Sequence, residues 1–412
     1  MSQVYPHPPR QGFLHAPPEG SERPALGTSG DPPTPPSDQG FRGATDDEKR
    51  RTGRASRHAL KATQRQLTPS RSSRYCWFPA EANVHVEVGR AGIAHTSQIH
   101  RCGSPWSCPV CSPLIRAARG ADIDQGVNGW LTAGHGALFV TLTVRHHAHD
   151  ALEARLAAMA RALWDCLKGA PWDRRAALLG YVGAIRALEV TWGQENGWHP
   201  HCHAILLFER PPTAEEVADL RTWLRGRWSS VVERRGFGTL SAAHGVDVRA
   251  VTAEGIGDYV TKVEGGWTAG AELVRGDLKT GHGRLTPFEL LGHAAIYGDA
   301  RAAHLWQEYE AATFGKRAIV WSRGLRRRLI PEAPEASDAE LAAAEGGDST
   351  CYLALVNRML WKSHLKRATV GLLLDRIEDD ALVLIGAGIA SEDAPVTVTY
   401  GEAQAPPSGV ER

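Results

Sequence analysis

No stretch of this 412-residue chain approaches the roughly 20 consecutive apolar residues that a membrane-spanning helix needs. The first thirty residues lack the continuous apolar run of a secretory leader. No G-x-x-x-x-G-K-[ST] loop occurs, so no nucleotide cofactor of the phosphate-loop type is expected. The seven cysteines are an odd number, and three cluster at metal-ligand spacing, which favours intracellular thiols and a structural metal over disulfides. These absences lead to the expectation of a cytoplasmic protein without a membrane partner. Net charge is nearly absent too, at a formal +1, but its distribution is informative. Residues 1–50 carry 5 Lys+Arg against 7 Asp+Glu, and residues 331–412 carry 6 against 14, which leaves 36 against 25 in 51–330. A basic core between acidic flanks suits a polyanionic partner.

What is present divides the chain into four stretches. Residues 1–72 are rich in Pro, Gly, Ser and charge, with PHPPRQ and DPPTPPSDQG near the start. Such a composition cannot bury enough apolar area to offset its ordering entropy and predicts a disordered tail. A cysteine-rich module is expected over 73–120 and the main folded core over 121–330. Residues 331–412 read as an acidic linker or solvated helix, PEAPEASDAELAAAEGG, followed by a small segment in which Cys351–Leu384 forms a helix and a strand.

Within the core the periodicities alternate. ALFVTLTVR (137–145) is two-period, with Leu138, Val140, Leu142 and Val144 on one face. A helical stripe follows at Leu152, Leu156, Met159, Leu163 and Leu167. Next come a strand ending in ALEVTW (187–192), an Asn196-Gly197 turn signal and a strand HCHAILLFE (201–209). Thr213 and Glu216 make a capping box for a helix whose inner face is Val217, Leu220, Leu224 and Trp228. Strand, helix, hairpin and helix predict an α+β fold built on an antiparallel sheet.

Three constellations carry chemistry. In WHPHCHAILLF, side chains alternate along the strand, so His201 and His203 share a face that excludes Cys202 and Ala204. A hairpin pivoting near Asn196-Gly197 puts Glu189 opposite His203 on that face. Two imidazoles and a carboxylate suit a catalytic divalent cation with positions left for water or phosphate oxygens; a satisfied histidine pair on a hairpin is the alternative. In GIGDYVTKVEGG, helical spacing sets Tyr259 and Lys262 on one face. A phenol with a pKa of about 10 becomes a useful nucleophile beside an ammonium and a metal-polarised phosphate; a core tyrosine beside a surface lysine is the plainer reading. In CGSPWSCPVC, Cys102, Cys108 and Cys111 offer three thiols for a structural zinc, with Cys76 or His100 as the fourth ligand; three small buried cysteines are the alternative. Arg221, Arg225, Arg227, Arg234 and Arg235 lie with Trp223 and Trp228 on one helix, the tryptophans suiting the core and the arginines DNA phosphates. The RGLRRRL run (323–329) reads equally as a DNA-binding arm or a solvated end.

In this order the segments resemble the actinobacterial-type rolling-circle plasmid replication initiators of the HUH endonuclease superfamily, over roughly residues 95–330. FVTLTV (139–144) resembles their first motif, HPHCH (199–203) the histidine–hydrophobic–histidine second motif, and YVTK (259–262) the third, tyrosine-bearing motif. CGSPWSCPVC resembles the zinc-type element that precedes the first motif. GRLTPFELL (283–291), LWQEY (305–309) and KRAIVWSRGL (316–325) resemble the rest of the domain.

The resemblance implies a central antiparallel, RRM-like sheet flanked by helices. It implies that His201, His203 and Glu189 hold Mg²⁺ or Mn²⁺, that Tyr259 forms a 5′-phosphotyrosine link while freeing a 3′-OH primer, and that Lys262 steadies the charge. The partners implied are single-stranded or hairpin origin DNA and the host helicase and polymerase. Some relatives carry an acid four residues before the tyrosine; here that position is Gly255, so Glu254 or Asp258 would activate water, and no second tyrosine stands at Y-x-x-x-Y spacing. A relaxase or single-strand transposase of the same superfamily, a non-catalytic zinc-dependent DNA-binding regulator and an unrelated metallohydrolase are the competing readings.

Overall fold

The computed structural model describes residues 45–242, 244–251, 284–332, 334–343 and 349–401. The architecture belongs to the unit Asp47–Arg412. In chain order it runs through α1 (Asp46–Leu67), α2 (Arg71–Tyr75), β1 (Asn83–Val88), β2 (Ala94–Ser97), α3 (Cys111–Thr132), β3 (Gly136–Thr143), α4 (Leu152–Cys166), α5 (Ala170–Leu179), β4 (Tyr181–Gly193), β5 (Gly197–Phe208), α6 (Ala214–Arg234) and β6 (Val246–Val251). It continues with β7 (Arg284–Leu285), α7 (Pro287–Tyr297), α8 (Ala300–Thr313), β8 (Ile319–Trp321), α9 (Leu325–Leu329), α10 (Asp338–Ala343), β9 (Tyr352–Asn357), α11 (Arg358–Arg367), α12 (Val370–Gly386) and β10 (Val396–Tyr400).

The α+β expectation holds. The larger sheet has the order β6-β3-β5-β4-β7, with β8 paired to β4, and every pairing in it is antiparallel. The strand period of two divides its residues between two cores. Val140, Leu142, Leu188, Cys202, Ala204 and Leu206 face one way and meet Leu156, Met159 and Leu163 of α4 and Leu220, Leu224 and Trp228 of α6. The capping box at Thr213 and Glu216 fixes the start of α6, and the Trp228 indole donates to the Thr143 carbonyl at 2.7 Å. On the opposite face, Phe139, Ile185, Ile205 and Leu207 are covered by Ile123, Val127 and Trp130 of α3 and Leu325 of α9. That cover spans only part of the face. Beyond it the inward-pointing residues become Thr141, Glu189, His201 and His203.

The smaller sheet, of order β10-β9-β1-β2, draws its strands from both ends of the unit. β9 pairs antiparallel with β1 from Asn83↔Asn357 to Val88↔Tyr352, and β10 runs parallel to β9. The cysteine-rich stretch 73–120 and the segment after 351 therefore share one core, in which Val84, Val86, Tyr352, Trp361, Leu374 and Ile377 are buried. The latter segment is a strand followed by two helices, then a further strand, where one helix and one strand were expected. The acidic stretch contributes α10, whose start is capped by Ser337 and Glu340.

The tail expected to be disordered over 1–72 includes α1, which is helical from Asp46. Its inner stripe is polar: Arg54, His58, Lys61 and Gln64 are buried. Arg50 and Arg54 converge on Glu378 of α12, a side chain with no solvent exposure, which also accepts from the Ala94 amide at 2.8 Å. Ion pairs to residues more than 300 positions away supply the burial that local composition withholds. Residues 1–44 lie outside the described residues.

Candidate metal centres and the active-site face

The β4–β5 hairpin carries the histidine motif to the part of the large sheet beyond α3, where Glu189 and His203 are largely buried. Its turn occupies Gln194–Asn196, and Gly193 pairs with Gly197. Gly197 has φ +70°, and a Cβ there would stand 3.0 Å from both the Ala148 Cα and the His147 carbonyl oxygen, so glycine is required on conformation and space alike. This register corrects the expected pairing: Glu189 lies opposite His201, and His203 lies opposite Ala187. The expected pairing is centred on Asn196; the turn is centred on Glu195, which moves every partner by two positions along the hairpin and keeps the same face. Glu189 still reaches His203 diagonally, with Oε2 2.8 Å from Nε2, and stands 3.9 Å from the His201 Nδ1.

One ligand atom from each of Glu189, His201 and His203 can be chosen so that all lie within 4.8 Å of one another. Adjacent ligands on an octahedral cation of ~2.1 Å bond length stand about 3 Å apart, so small side-chain movements would admit one ion. Burial alone would raise the Glu189 carboxyl, but the facing imidazoles His201 and His203 hold it far below the usual carboxylate range. It is therefore an anion without any metal, as a ligand must be. Cys202 points to the opposite, helix-covered face, where burial pushes its thiol up to about 11.

The site also contains groups that motif spacing did not single out. Thr141 Oγ1 lies 3.1 Å from the His203 Nδ1, a contact that leaves Nε2 turned to Glu189. His199 shares the strand face by its i, i+2, i+4 spacing, with its Nε2 2.8 Å from the His201 Nε2. His146 stacks on His199 with ring centroids 4.0 Å apart. Burial, then the neighbouring His201 and His146 rings, keep His199 well below its usual pKa and neutral. The alternation HPHCH could have disclosed His199; His146 comes from the loop that follows β3 and had no local signal.

The expected zinc ligands come together. Cys76, Cys102, Cys108 and Cys111 converge with all four sulfurs within 4.8 Å of one another. Sγ–Sγ separations are 3.5 Å for Cys76–Cys111, 3.8 Å for Cys76–Cys108 and 3.8 Å for Cys102–Cys111. Tetrahedral zinc with ~2.3 Å bonds to sulfur sets its ligands about 3.8 Å apart, so the donor set fits that ion. His100, the other candidate, is occupied elsewhere, 3.2 Å from the Ser72 hydroxyl. Burial would raise the Cys108 thiol, yet hydrogen bonds from the other three cysteines and the Lys61 ammonium hold it well below the usual range.

The arginines on α6 are largely engaged within the protein. Arg221 donates to the Val248 carbonyl at 2.6 Å, Arg225 to the Ser241 carbonyl at 3.1 Å and Arg227 to the Lys168 carbonyl at 3.1 Å. Arg235 pairs with Asp165 at 2.7 Å, and Arg234 lies near it on an exposed surface. Trp228 is core, and Trp223 packs on Trp172 with centroids 5.3 Å apart. Tyr259, Lys262, Glu254 and Asp258 lie outside the described residues, in the segment that follows β6. No helix among the described residues is long and apolar enough to cross a membrane.

The comparisons with known proteins agree with the motifs. The chain is 34% identical over 354 residues to "Protein rep" of Streptomyces lividans, covering 70% of this chain and 77% of that protein. It is 37% identical over 151 residues to a "Neomycin resistance protein" of Streptomyces cyanogenus, covering 31% of this chain and 35% of that one. No solved structure gives a significant match. The sequence profile of the replication protein family Rep_1 matches residues 94–362, which include the histidine hairpin and Cys102, Cys108 and Cys111 of the cysteine cluster. The chain belongs to this family of replication proteins.

Proposed function

We propose that this protein initiates rolling-circle replication of a plasmid by nicking one strand of origin DNA through a tyrosine nucleophile, on a fold of the HUH endonuclease type. The observation that supports it most is the convergence of Glu189, His201 and His203 on one sheet face, in a chain of the Rep_1 family. β6 borders that face, its Asp247 paired with Thr141, and the segment bearing Tyr259 follows it.

In this reading the Tyr259 oxygen attacks the scissile phosphorus as the P–O3′ bond breaks. The phosphate stays on the tyrosine as the 5′ end, and the leaving O3′ takes a proton to become a primer. One ester replaces another, so no nucleotide is consumed. Lys262 would offset the phenolate and phosphate charge. His201, His203 and Glu189 would hold Mg²⁺ or Mn²⁺, which when bound draws charge from the phosphate oxygens. Thr141 fixes the ring of His203, and the α3 cover keeps that end of the site dry. The release of the 5′ end would fall to Glu254 or Asp258. The cysteine cluster would hold a structural zinc, and host helicase and polymerase would extend the primer.

The test is Tyr259→Phe. It is expected to abolish strand cleavage in Mn²⁺ while changing DNA affinity by no more than a few fold. Cleavage that survives the substitution would exclude Tyr259 as nucleophile; binding without cleavage in the unaltered protein would favour a DNA-binding regulator.

A further inference from the structure

A cleft of about 840 Å³ opens between the first turns of α3, the edge strand β8 with its flanking loops, α9 and the segment 335–340. Six arginines line it, Arg116, Arg119, Arg317, Arg323, Arg326 and Arg327, against three carboxylates on Glu335, Asp338 and Glu340. The surplus is three positive charges in one concavity.

The six divide by what holds them. Arg119 donates to the Ala336 carbonyl at 2.8 Å and pairs with Asp338 at 2.9 Å. Arg326 pairs with Asp122 at 2.9 Å, and Arg116 donates to the Pro105 carbonyl at 3.2 Å. These three build the wall. Arg317, Arg323 and Arg327 are exposed and form no ion pair among the described residues. Guanidinium groups that outnumber the carboxylates in one cleft repel one another, which costs stability unless an anion joins them. Trp321, partly exposed, lies in the same lining.

The cleft also has a defined relation to the metal-binding face. β8 pairs with β4, Ile319 opposite Ala187, and Ala187 is opposite His203 on β5. Two strand spacings of ~4.8 Å put the backbone of the cleft's edge about 10 Å from that of His203. α3, which forms one wall, packs on the same sheet face as the histidines.

We propose that this cleft binds the sugar–phosphate backbone of single-stranded DNA next to the nick site, with Arg317, Arg323 and Arg327 on phosphates of that strand and Trp321 under an unpaired base. The assignment rests on the nicking function proposed above. Guanidinium groups with an aromatic face are what a sequence-tolerant single-strand groove requires, and only an unpaired base can stack on an indole. It also resolves the RGLRRRL run: Arg326 and Arg328 serve the fold, through Asp122 and Glu209, while Arg323 and Arg327 serve the ligand.

Fluorescence anisotropy of the full chain on a labelled 30-mer single strand, titrated across salt concentrations in EDTA, tests this without requiring cleavage. Arg317→Ala/Arg323→Ala/Arg327→Ala is expected to weaken binding about tenfold or more and to flatten the log–log salt slope by about 2, at ~0.7 per lost phosphate contact. The corresponding triple Lys variant, which keeps the charge, should recover most of the affinity. Glu335→Gln should tighten binding. Unchanged affinity and slope in a triple Ala variant that retains wild-type circular dichroism would overturn the proposal, as would a loss confined to duplex DNA. Adduct formation by the unaltered protein in Mn²⁺ reports separately on the nicking function, so the two can fail independently.

Discussion

Glu189 is the residue on which the candidate metal site turns. It is 9% exposed and its carboxylate is an anion that two imidazoles already face. Glu189→Gln keeps the shape and removes the charge, and it is expected to weaken Mn²⁺ binding by at least 10–100-fold, read by electron paramagnetic resonance titration. Thr141→Val removes the oxygen beside the His203 Nδ1 and should cost about tenfold or more by the same measurement, since such supporting contacts orient a ligating ring. Alternation along a strand was enough to put His201 and His203 together. It could not fix the register, because the Asn196-Gly197 signal marks a turn without marking which residue stands at its centre, and the turn is centred on Glu195. The diagonal reach of a glutamate rescued the ligand set despite the shift. Tyr259 and Lys262 were named from motif alone, and the described residues do not include them.

At the scale of the element, α1 was the least legible. Its inner stripe of Arg54, His58, Lys61 and Gln64 has the composition of a solvated segment, and no local window holds the carboxylates that neutralise it. Glu378→Gln leaves the buried Arg54 and the partly exposed Arg50 short of a shared partner and is expected to destabilise the protein by about 3 kcal/mol, measured by urea unfolding. The Arg54 and Arg50 guanidiniums and the Ala94 amide hold the Glu378 carboxyl down to about 2 against the burial that would raise it. The folded value lies below the unfolded one of about 4.3. Its stabilising contribution is therefore complete above about pH 4.5 and is lost as pH falls from there through 2. Acid titration of the unaltered protein should show a destabilisation in that window that Glu378→Gln lacks. The start of α6 and its inner residues Leu220, Leu224 and Trp228, by contrast, were readable, because the capping box and the apolar stripe are both local.

At the scale of the molecule, two sheets carry two duties. The large sheet presents the face bearing Glu189, His201 and His203 and buries its reverse under α4 and α6. The small sheet joins both ends of the unit around the cysteine cluster. That joining was beyond local reading, since β9 and β1 are separated by more than 260 residues of chain. The cluster stands where α3 begins, at Cys111, and α3 goes on to cover the large sheet, so the metal would brace both cores. One zinc per chain is expected by elemental analysis, and Cys108→Ser should lower both the zinc content and the thermal midpoint.

The central claim is that Tyr259 of this replication protein becomes covalently joined to DNA. It is tested most directly by incubating the protein with end-labelled single-stranded DNA from its replication origin in Mn²⁺, followed by a denaturing gel. A labelled band that survives SDS, is lost on protease treatment and is missing in Tyr259→Phe is the predicted result. Cleavage of the strand with no protein-linked product, or an adduct that persists in Tyr259→Phe, would contradict it.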